Sequence, residues 1–239
     1  MFNAKEEIER ITNFIKEFFA KRAMFEGVVL GMSGGKDSLI CAALCARALG
    51  AYRVHGILMP NGEQNDIQDA VDSVKLLGIQ SQVVNIGAAY KEMVGAIGTS
   101  LQPVTLQNIA PRLRMTVLYA LAQERRCLVC ATSNLSEITI GYTTKWGDAA
   151  GDFAPIAHLT KSEVVDVGVA LGLPVDLVCK APADGLSGMT DEECFGFTYA
   201  QLDDYIRNGS SSIAADVASK IESRITANSH KRLQIPTVV

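Results

Sequence analysis

One stretch of the sequence, residues 27–49, constrains the fold more than any other. It begins with the apolar run G-V-V-L-G-M, continues with S-G-G-K-D-S at 33–38, and is largely apolar again through Leu49. A short apolar run that turns through glycines into a longer one is typical of a buried strand followed by a helix. Adjacent glycines let backbone N–H groups approach a ligand closely, and the amino end of a helix favours anions. The stretch therefore predicts a phosphate-binding loop.

This loop is not a Walker A motif. That motif needs a glycine five residues before Gly35 and a Ser or Thr directly after the lysine, whereas Leu30 and Asp37 stand at those positions. Asp37 places an anion beside the expected phosphates, which is favourable only if a divalent cation lies between them. Because Mg²⁺ commonly binds one or two carboxylates together with phosphate oxygens, Asp37 predicts a Mg²⁺ site and a second carboxylate elsewhere in the chain.

The rest of the chain alternates strand-like and helix-like segments, which favours a parallel sheet. We expect an α/β fold class: one domain over residues 1–239, with a doubly wound, parallel, five-stranded sheet and helices on both faces. Residues 180–196 are rich in Gly, Ala, Asp and Ser, so we expect a mobile loop there. Expected strands lie at 27–32, 52–58, 82–86 and 127–132, and expected helices at 4–20, 38–49, 66–77, 111–123, 161–172, 198–207 and 211–227.

Composition and charge exclude several classes of function. The net charge is −4 and no block of Lys and Arg occurs, which argues against nucleic acid as a partner. No segment reaches about 18 uncharged apolar residues, so we expect no membrane association and a cytoplasmic location. Cys127 and Cys130 have the spacing of zinc ligands, but residues three apart on a strand point to opposite faces. We therefore expect no zinc site there.

Four segments carry a family resemblance. The S-G-G-K-D-S loop resembles the loop of the N-type ATP pyrophosphatases, which form adenylates and release pyrophosphate. The segments N-I-A-P-R-L-R-M from residue 108, A-T-S-N-L-S-E from 131 and G-Y-T-T-K-W-G-D-A-A-G-D-F from 141 follow in the family's order. On these segments the chain is identified as a member of the ammonia-dependent NAD synthetases. The resemblance implies a Rossmann-like ATP pyrophosphatase fold and a homodimer.

The same resemblance implies the reaction and its cofactors. Ammonia would amidate nicotinic acid adenine dinucleotide (deamido-NAD), with ATP as co-substrate and Mg²⁺ as the metal, to give NAD, AMP and pyrophosphate. The metal ligands would be Asp37 and Glu137, so that Glu137 is the second carboxylate that Asp37 calls for. Residues implied in ATP binding are Gly31, Met32, Ser33, Gly34, Gly35, Lys36, Asp37, Ser38, Thr132, Lys161 and Ala183.

Two further sets of residues follow from the resemblance. The implied catalytic residues are Asp37, Lys161 and Asp148, the last of which would draw in ammonium and help it lose a proton. The implied deamido-NAD ligands are Arg112, Lys145, Asp152, His230 and Lys231. Arg114 lies two residues after Arg112 and cannot share its helix face, so we expect Arg114 to form a salt bridge instead.

The sequence departs from the family pattern at three positions. Ala131 and Pro111 replace a glycine and an alanine, and Ala183 replaces a Ser or Thr that contacts ATP. Loss of that hydrogen bond is expected to weaken ATP binding by about 1 kcal/mol. Two alternatives remain open: another ATP pyrophosphatase, such as a tRNA thiolase or a zinc-dependent nitrile-forming relative, and a catalytically silent nucleotide-binding module.

Overall fold

The computed structural model describes residues 2–63, 67–180 and 190–232. Its strands are β1 (Gly27–Gly31), β2 (Val54–Leu58), β3 (Gln80–Val83) and β4 (Cys127–Val129). Its helices are α1 (Ala4–Ala20), α2 (Lys36–Leu49), α3 (Ile67–Leu77), α4 (Gly87–Ile97), α5 (Pro103–Gln107), α6 (Ile109–Glu124), α7 (Leu135–Ile140), α8 (Lys161–Ala170), α9 (Val175–Val178), α10 (Asp191–Phe195), α11 (Tyr199–Asn208) and α12 (Ala215–Ala227).

The strands form a parallel sheet in the order β3-β2-β1-β4. The expectation of five strands is wrong, because the sheet has four within the described residues. Beside β4, a single parallel bridge is found in the described part of the chain, between Cys130 and Phe153. The Val129 N–H donates at 2.7 Å to a side-chain oxygen of Asp152 rather than to a backbone carbonyl. A carboxylate therefore ends the pairing where a fifth strand would continue it.

Alternation along the strands divides the core between the two faces of the sheet. Val28 and Leu30 pack with α1, α2, α3 and α8 on one face, whereas Val29 packs with α6 on the other. Successive side chains of a strand point to opposite faces, so one apolar run serves both cores. Cys130 belongs to the first core and Cys127 to the second, which confirms that the two cysteines face opposite sides.

A third apolar cluster joins the elements that follow the sheet. It brings together Ile140 of α7, Phe195 of α10, Leu202 of α11 and Ile221 of α12. Part of the expected loop at 180–196 is thus a short helix, α10, whose Phe195 is buried. Residues 181–189 lie outside the described part of the chain. This cluster places α11 behind the first turns of α7 and α8.

The expected helices are confirmed except for small shifts of their ends, and the edge strand differs more. We expected a strand at 82–86, but β3 spans Gln80–Val83 because it pairs with β2 from His55 to Leu58. All of β3 is exposed, so apolar alternation gives no guide to its ends. Helices α4 and α5 were not expected. Within the described residues no helix has both the length and the apolar character needed to cross a membrane.

Gly27 at the start of β1 lies against the backbone of Arg53, the residue before β2, and this contact can be tested. A Cβ atom on Gly27 would overlap the carbonyl oxygen of Arg53, a backbone atom that cannot rotate away. We expect Gly27→Ala to lower the free energy of unfolding by at least about 2 kcal/mol, as overpacking does. Gly95→Ala is the matched control, because nothing lies within 4 Å of its Cβ in the interior of α4.

Urea denaturation of the two variants measures this difference. Replacing glycine by alanine inside an exposed helix stabilises it by roughly 0.5–1 kcal/mol, so the two substitutions are expected to have opposite signs. Equal unfolding midpoints for the Gly27→Ala variant and the wild type would contradict the packing of β1 against Arg53.

Candidate active site

The loop after β1 is held in shape by its own serines. The hydroxyls of Ser33 and Ser38 lie 3.2 Å apart, and the Ser38 hydroxyl donates to the Gly35 carbonyl at 2.9 Å. The Gly35 N–H donates to the Ser33 oxygen at 3.2 Å. Gly34 has a φ of 83°, which favours glycine. Since α2 begins directly after this loop, the positive end of its dipole faces the loop.

Thr132 lies at the same edge of the sheet as the loop. It follows β4, and the neighbouring Cys130 N–H donates to the Val29 carbonyl of β1 at 3.0 Å. The carboxyl ends of β1 and β4 are therefore side by side, where open parallel sheets bind ligands. The structure thus places the loop at residues 31–38 and Thr132 at the same edge of the sheet.

A buried lysine lies between two acids at this edge. The Lys161 ammonium is 2.7 Å from Asp37 Oδ2 and 2.9 Å from Glu137 Oε1. Lys161 as a whole is only 6% exposed. We call Asp37, Glu137 and Lys161 the acid–lysine cluster. Each member begins or nearly begins a helix, in α2, α7 and α8 respectively, so three helix amino ends converge here.

Burial and charge act against each other within the cluster. Burial lowers the pKa of Lys161, but the two carboxylates outweigh it and raise that pKa above its usual range. Burial, together with the Asp37 charge, raises the pKa of Glu137 to about 7, although Lys161 opposes the rise. Two carboxylates face one ammonium group, so the cluster would carry one uncompensated negative charge if both acids were ionised.

Asn134 binds both acids of the cluster and was not among the predicted site residues. Its side chain is fully buried, donates to Asp37 Oδ1 at 3.1 Å and accepts the Glu137 N–H at 3.1 Å. It is the N-cap of α7, in a capping box with Glu137. The Asn-x-x-Glu spacing at 134–137 was a signal for this cap. Its bond to Asp37 joins residues 97 positions apart and had no local signal.

Lys36 adds a second cation beside the loop. It is 7% exposed, and no residue in the described part of the chain accepts a hydrogen bond from its ammonium group. Burial lowers the pKa of Lys36, and the nearby Lys161 lowers it further. A buried ammonium group that lacks a hydrogen-bond acceptor among the described residues favours an anionic ligand.

A second group of charged residues lies around the segment that follows α7. Arg112 donates from Nε to the Lys145 carbonyl at 3.1 Å. Lys231 donates to the carbonyls of Gly141 and Thr143 at 2.7 and 2.9 Å. Lys231 also lies close enough to Arg112 and Asp148 for their charges to act on it. The structure thus brings Arg112, Asp148 and Lys231 together, with the Lys145 backbone beside them.

Asp148 has an unusual electrostatic environment. Its side chain accepts the Thr144 N–H at 2.8 Å. Although solvent reaches the residue, surrounding protein atoms desolvate its carboxylate and raise its pKa, while the Thr144 N–H and then Lys231 oppose the rise. The carboxyl group is therefore closer to the proton affinity of a general base at neutral pH than an ordinary aspartate is.

An open cavity of about 480 Å³ lies beside Arg112, within the size range of small-molecule sites. Trp146 stands at this cavity, 61% exposed and with a φ of 64°, a backbone conformation that is rare for a bulky residue. The lining residues are Arg112, Met115, Thr116, Tyr119, Trp146, Ala149, Ala150 and Gly151.

The remaining predicted residues have mixed placements. Asp152 directly follows Gly151, one of the residues that line this cavity. One of its carboxylate oxygens accepts the Val129 N–H. His230 is exposed beside Lys231. The salt bridge expected for Arg114 is wrong within the described residues, since Arg114 Nε donates to the Met59 carbonyl at 3.0 Å instead. Ala183 lies outside the described residues.

Replacing Asn134 tests how the cluster is held. We expect Asn134→Ala to lower the free energy of unfolding by about 1–2 kcal/mol, as loss of an N-cap does. We also expect Mg²⁺-dependent ATP binding to weaken by about tenfold, because a hydrogen bond to a charged group contributes about 1.5–3 kcal/mol. Denaturation and titration calorimetry measure the two effects.

Asn3→Ala is the matched control, because Asn3 caps α1 with the same side chain far from the cluster. It is expected to cost stability without weakening ATP binding. Equal ATP affinities for the two variants would contradict the role of Asn134 in orienting Asp37.

Comparison with known proteins identifies the family. The NAD synthase family model matches residues 7–235. The NH(3)-dependent NAD(+) synthetase of Methanoregula boonei is 40% identical over 223 residues, covering 90% of this chain and 89% of the relative. The structure of NMN synthetase from Francisella tularensis covers 100% of this chain and 99% of its own, with a TM-score of 0.92 and 33% identity.

A second solved structure has the same extent of match. It is an NH3-dependent NAD synthetase from Campylobacter jejuni in complex with the nitrate ion, with a TM-score of 0.84 and 28% identity over 100% of both chains. These matches extend over nearly the whole chain. They confirm the family resemblance seen in the loop and in the segments after residue 108. This chain belongs to the NAD synthase family.

Proposed function

We propose that this chain amidates deamido-NAD with ammonia in an ATP-dependent reaction that yields NAD, AMP and pyrophosphate. Family membership and the names of its relatives support the reaction class. The observation that carries the proposal is the acid–lysine cluster, buried beside a glycine loop at the carboxyl edge of the sheet. A module that only bound nucleotide would not need this concentration of charge.

The first chemical step is adenylation of the substrate carboxylate. A nicotinate oxygen attacks the α-phosphorus of ATP, and the bond from that phosphorus to the bridging oxygen of the pyrophosphate breaks. Negative charge grows on the departing pyrophosphate, so cations and N–H donors aimed at it stabilise the transition state. Lys161, Lys36 and the N–H groups of residues 36–38 in the first turn of α2 are the proposed donors, since the N–H groups of Ser33 and Gly35 already bind loop serines.

Mg²⁺ fits the donor set of the cluster. Asp37 and Glu137 offer carboxylate oxygens, the ligands that Mg²⁺ prefers, and both already lie within 3 Å of one cation, the Lys161 ammonium. Burial, and then the charge of Asp37, raise the pKa of Glu137, and a bound cation would favour the ionised form of both acids. When bound by Asp37 and Glu137, Mg²⁺ supplies positive charge against the phosphates.

The second step transfers the acyl group to ammonia. The ammonia nitrogen bonds to the adenylated carbonyl carbon, the carbon–oxygen bond to AMP breaks, and the nitrogen loses a proton. Only neutral ammonia is nucleophilic, and Asp148, which lies beside Lys231 and is held by the Thr144 N–H, is the residue proposed to draw in ammonium and help it lose a proton. Arg112 and Lys231 attract the anionic dinucleotide beside Asp148, with Lys145, Asp152 and His230 as further proposed contacts.

A direct assay tests the function and its metal ligands together. The purified chain is incubated with ATP, deamido-NAD, ammonium and Mg²⁺, and the products are separated by chromatography. We expect NAD and AMP in equal amounts. We expect Asp37→Asn and Glu137→Gln each to lower kcat at least about 100-fold, the cost of removing one transition-state contact, while Glu17→Gln on the exposed face of α1 leaves kcat unchanged.

Two outcomes of this assay contradict the proposal. Absence of AMP would leave the silent nucleotide-binding module as the better interpretation. Full Mg²⁺-dependent activity in both carboxylate variants would show that the metal lies elsewhere.

Nicotinate mononucleotide is a second candidate substrate. The solved structure that matches with a TM-score of 0.92 is an NMN synthetase, and amidation of the mononucleotide would form NMN by the same two steps. The assay is therefore repeated with each acid. We expect a higher kcat/KM for deamido-NAD, in keeping with the curated relatives, and a preference for the mononucleotide would reverse this assignment.

The proposed assembly is a homodimer formed through α4, α5 and α6. These helices expose Met93, Ile97, Val104 and Tyr119, which are between 39% and 61% accessible, and exposed apolar patches of this kind mark interaction sites. Tyr119 also lines the cavity at Arg112, so a second copy would border the substrate site.

Sedimentation equilibrium is expected to give twice the chain mass for the wild type and a lower mass for Val104→Asp, whereas a monomeric wild type would contradict the dimer.

A further inference from the structure

One buried carboxylate behind the acid–lysine cluster has no part in the site described above. Asp203 of α11 is 7% exposed. Its Oδ1 accepts the Ser136 hydroxyl at 2.5 Å, and its Oδ2 accepts both the backbone N–H and the hydroxyl of Ser162, at 2.8 and 2.6 Å. Both oxygens are thus used by donors from other helices. A buried carboxylate is tolerated only when its acceptors are satisfied in this way.

The two serines adjoin the cluster residues along the chain. Ser136 directly precedes Glu137, and Ser162 directly follows Lys161. The Ser136 oxygen also accepts the Lys161 N–H at 3.0 Å. One carboxylate on α11 therefore connects the first turns of α7 and α8, the two turns that carry Glu137 and Lys161.

The first three backbone N–H groups of α8 all donate to side chains. The first N–H groups of a helix lack partners inside it. Here the Lys161 N–H binds Ser136, the Ser162 N–H binds Asp203, and the Glu163 N–H binds Thr160 Oγ1 at 3.5 Å. This helix end is consequently closed to an anionic ligand. These hydrogen bonds fix the position of the Lys161 backbone, from which the side chain extends to the cluster.

A second side chain of α11, that of Tyr199, lies against the ammonium group of Lys161. Tyr199 lies four residues before Asp203, so both face the same side of the helix. The Tyr199 ring centre is 5.2 Å from the Lys161 ammonium, and its hydroxyl donates to Asp191 at 2.9 Å. Helix α11 thus contacts Lys161 at its backbone through Asp203 and Ser136, and at its charge through Tyr199.

We infer that Asp203 is a positioning residue for Lys161 and Glu137 in the reaction proposed above, on which this inference rests. Catalytic groups must be held closely to the productive geometry, and a shift of about 1 Å can cost roughly 100-fold in rate. Asp203 supplies this constraint through Ser136 and Ser162. Arg207 separately holds α8 by donating to Glu163 Oε1 at 2.9 Å, so loss of Asp203 alters the position of Lys161 without releasing the helix.

Asp203→Asn tests the inference, with Asp204→Asn as the matched control. Asparagine keeps an acceptor for Ser162, but its amide N–H₂ cannot accept from the Ser136 hydroxyl, so the short charged hydrogen bond there is lost and at most a weaker neutral one of opposite direction replaces it. Asp204 neighbours Asp203 in sequence and instead accepts a hydrogen bond from Asn208 at 2.5 Å. In the assay above we expect Asp203→Asn to lower kcat at least tenfold while KM for deamido-NAD stays within twofold, since the residues around Arg112 are untouched. Asp204→Asn is expected to match the wild type in both constants.

A second variant separates positioning from general loss of structure. Ser136→Ala removes the hydroxyl that joins Asp203 to the Lys161 N–H, and we expect it to lower kcat by a similar factor. Because both variants act on the same hydrogen bond between residues 203 and 136, the double variant is expected to lose no more kcat than Ser136→Ala or Asp203→Asn alone, whichever loses more, whereas independent effects would multiply. If Asp203→Asn fails to fold, the kcat of Ser136→Ala decides: a wild-type value overturns the inference.

The outcomes also separate this inference from the proposed function. A wild-type chain that forms no AMP overturns both. A wild-type chain that makes NAD, together with equal kcat values for Asp203→Asn and Asp204→Asn, overturns the role of Asp203 alone. Multiplying losses in the double variant likewise overturn it.

Discussion

The burial of one ammonium group between two carboxylates is the interaction on which the rest of the site depends. Removing a charge from water is costly unless it is paired and hydrogen-bonded. Lys161 is paired twice, with Asp37 and Glu137, so two acids face one ammonium group. The proposed Mg²⁺ would add the positive charge that lets both acids stay ionised beside a triphosphate.

The fold supplies the geometry by bringing together the amino ends of three helices. Asp37 and Glu137 lie in the first turns of α2 and α7, where the helix dipole stabilises an acid. Lys161 is the first residue of α8, where the dipole is unfavourable for a cation. The two carboxylates offset that cost, and side-chain caps from Thr160, Ser136 and Asp203 satisfy the end of the helix. The neighbouring parallel strands β1 and β4 place the loop and α7 at one edge.

The sequence was sufficient for the fold class, most helices and the family, because apolar periodicity and capping patterns are local signals. The need for a second carboxylate beside Asp37 followed from charge alone, and Glu137 does lie beside Asp37. The roles of Arg112, Lys145, Asp152, His230 and Lys231 in substrate binding stay predictions.

Errors arose where a side chain replaced a backbone partner or joined distant segments. The Asp152 carboxylate accepts the Val129 N–H that would have continued a fifth strand, and Arg114 binds a carbonyl rather than an acid. Asn134 and Asp203 act through partners up to 97 and 67 positions away. No local pattern encodes such contacts, because they depend on how the helices pack.

Anomalous diffraction from crystals grown with Mn²⁺ and a non-hydrolysable ATP analogue tests most directly whether the excess charge of Asp37 and Glu137 holds the metal. We expect a manganese peak coordinated by oxygens of both residues, with the triphosphate resting on the loop at residues 32–38. A peak bound to neither carboxylate, or a triphosphate away from that loop, would contradict the mechanism.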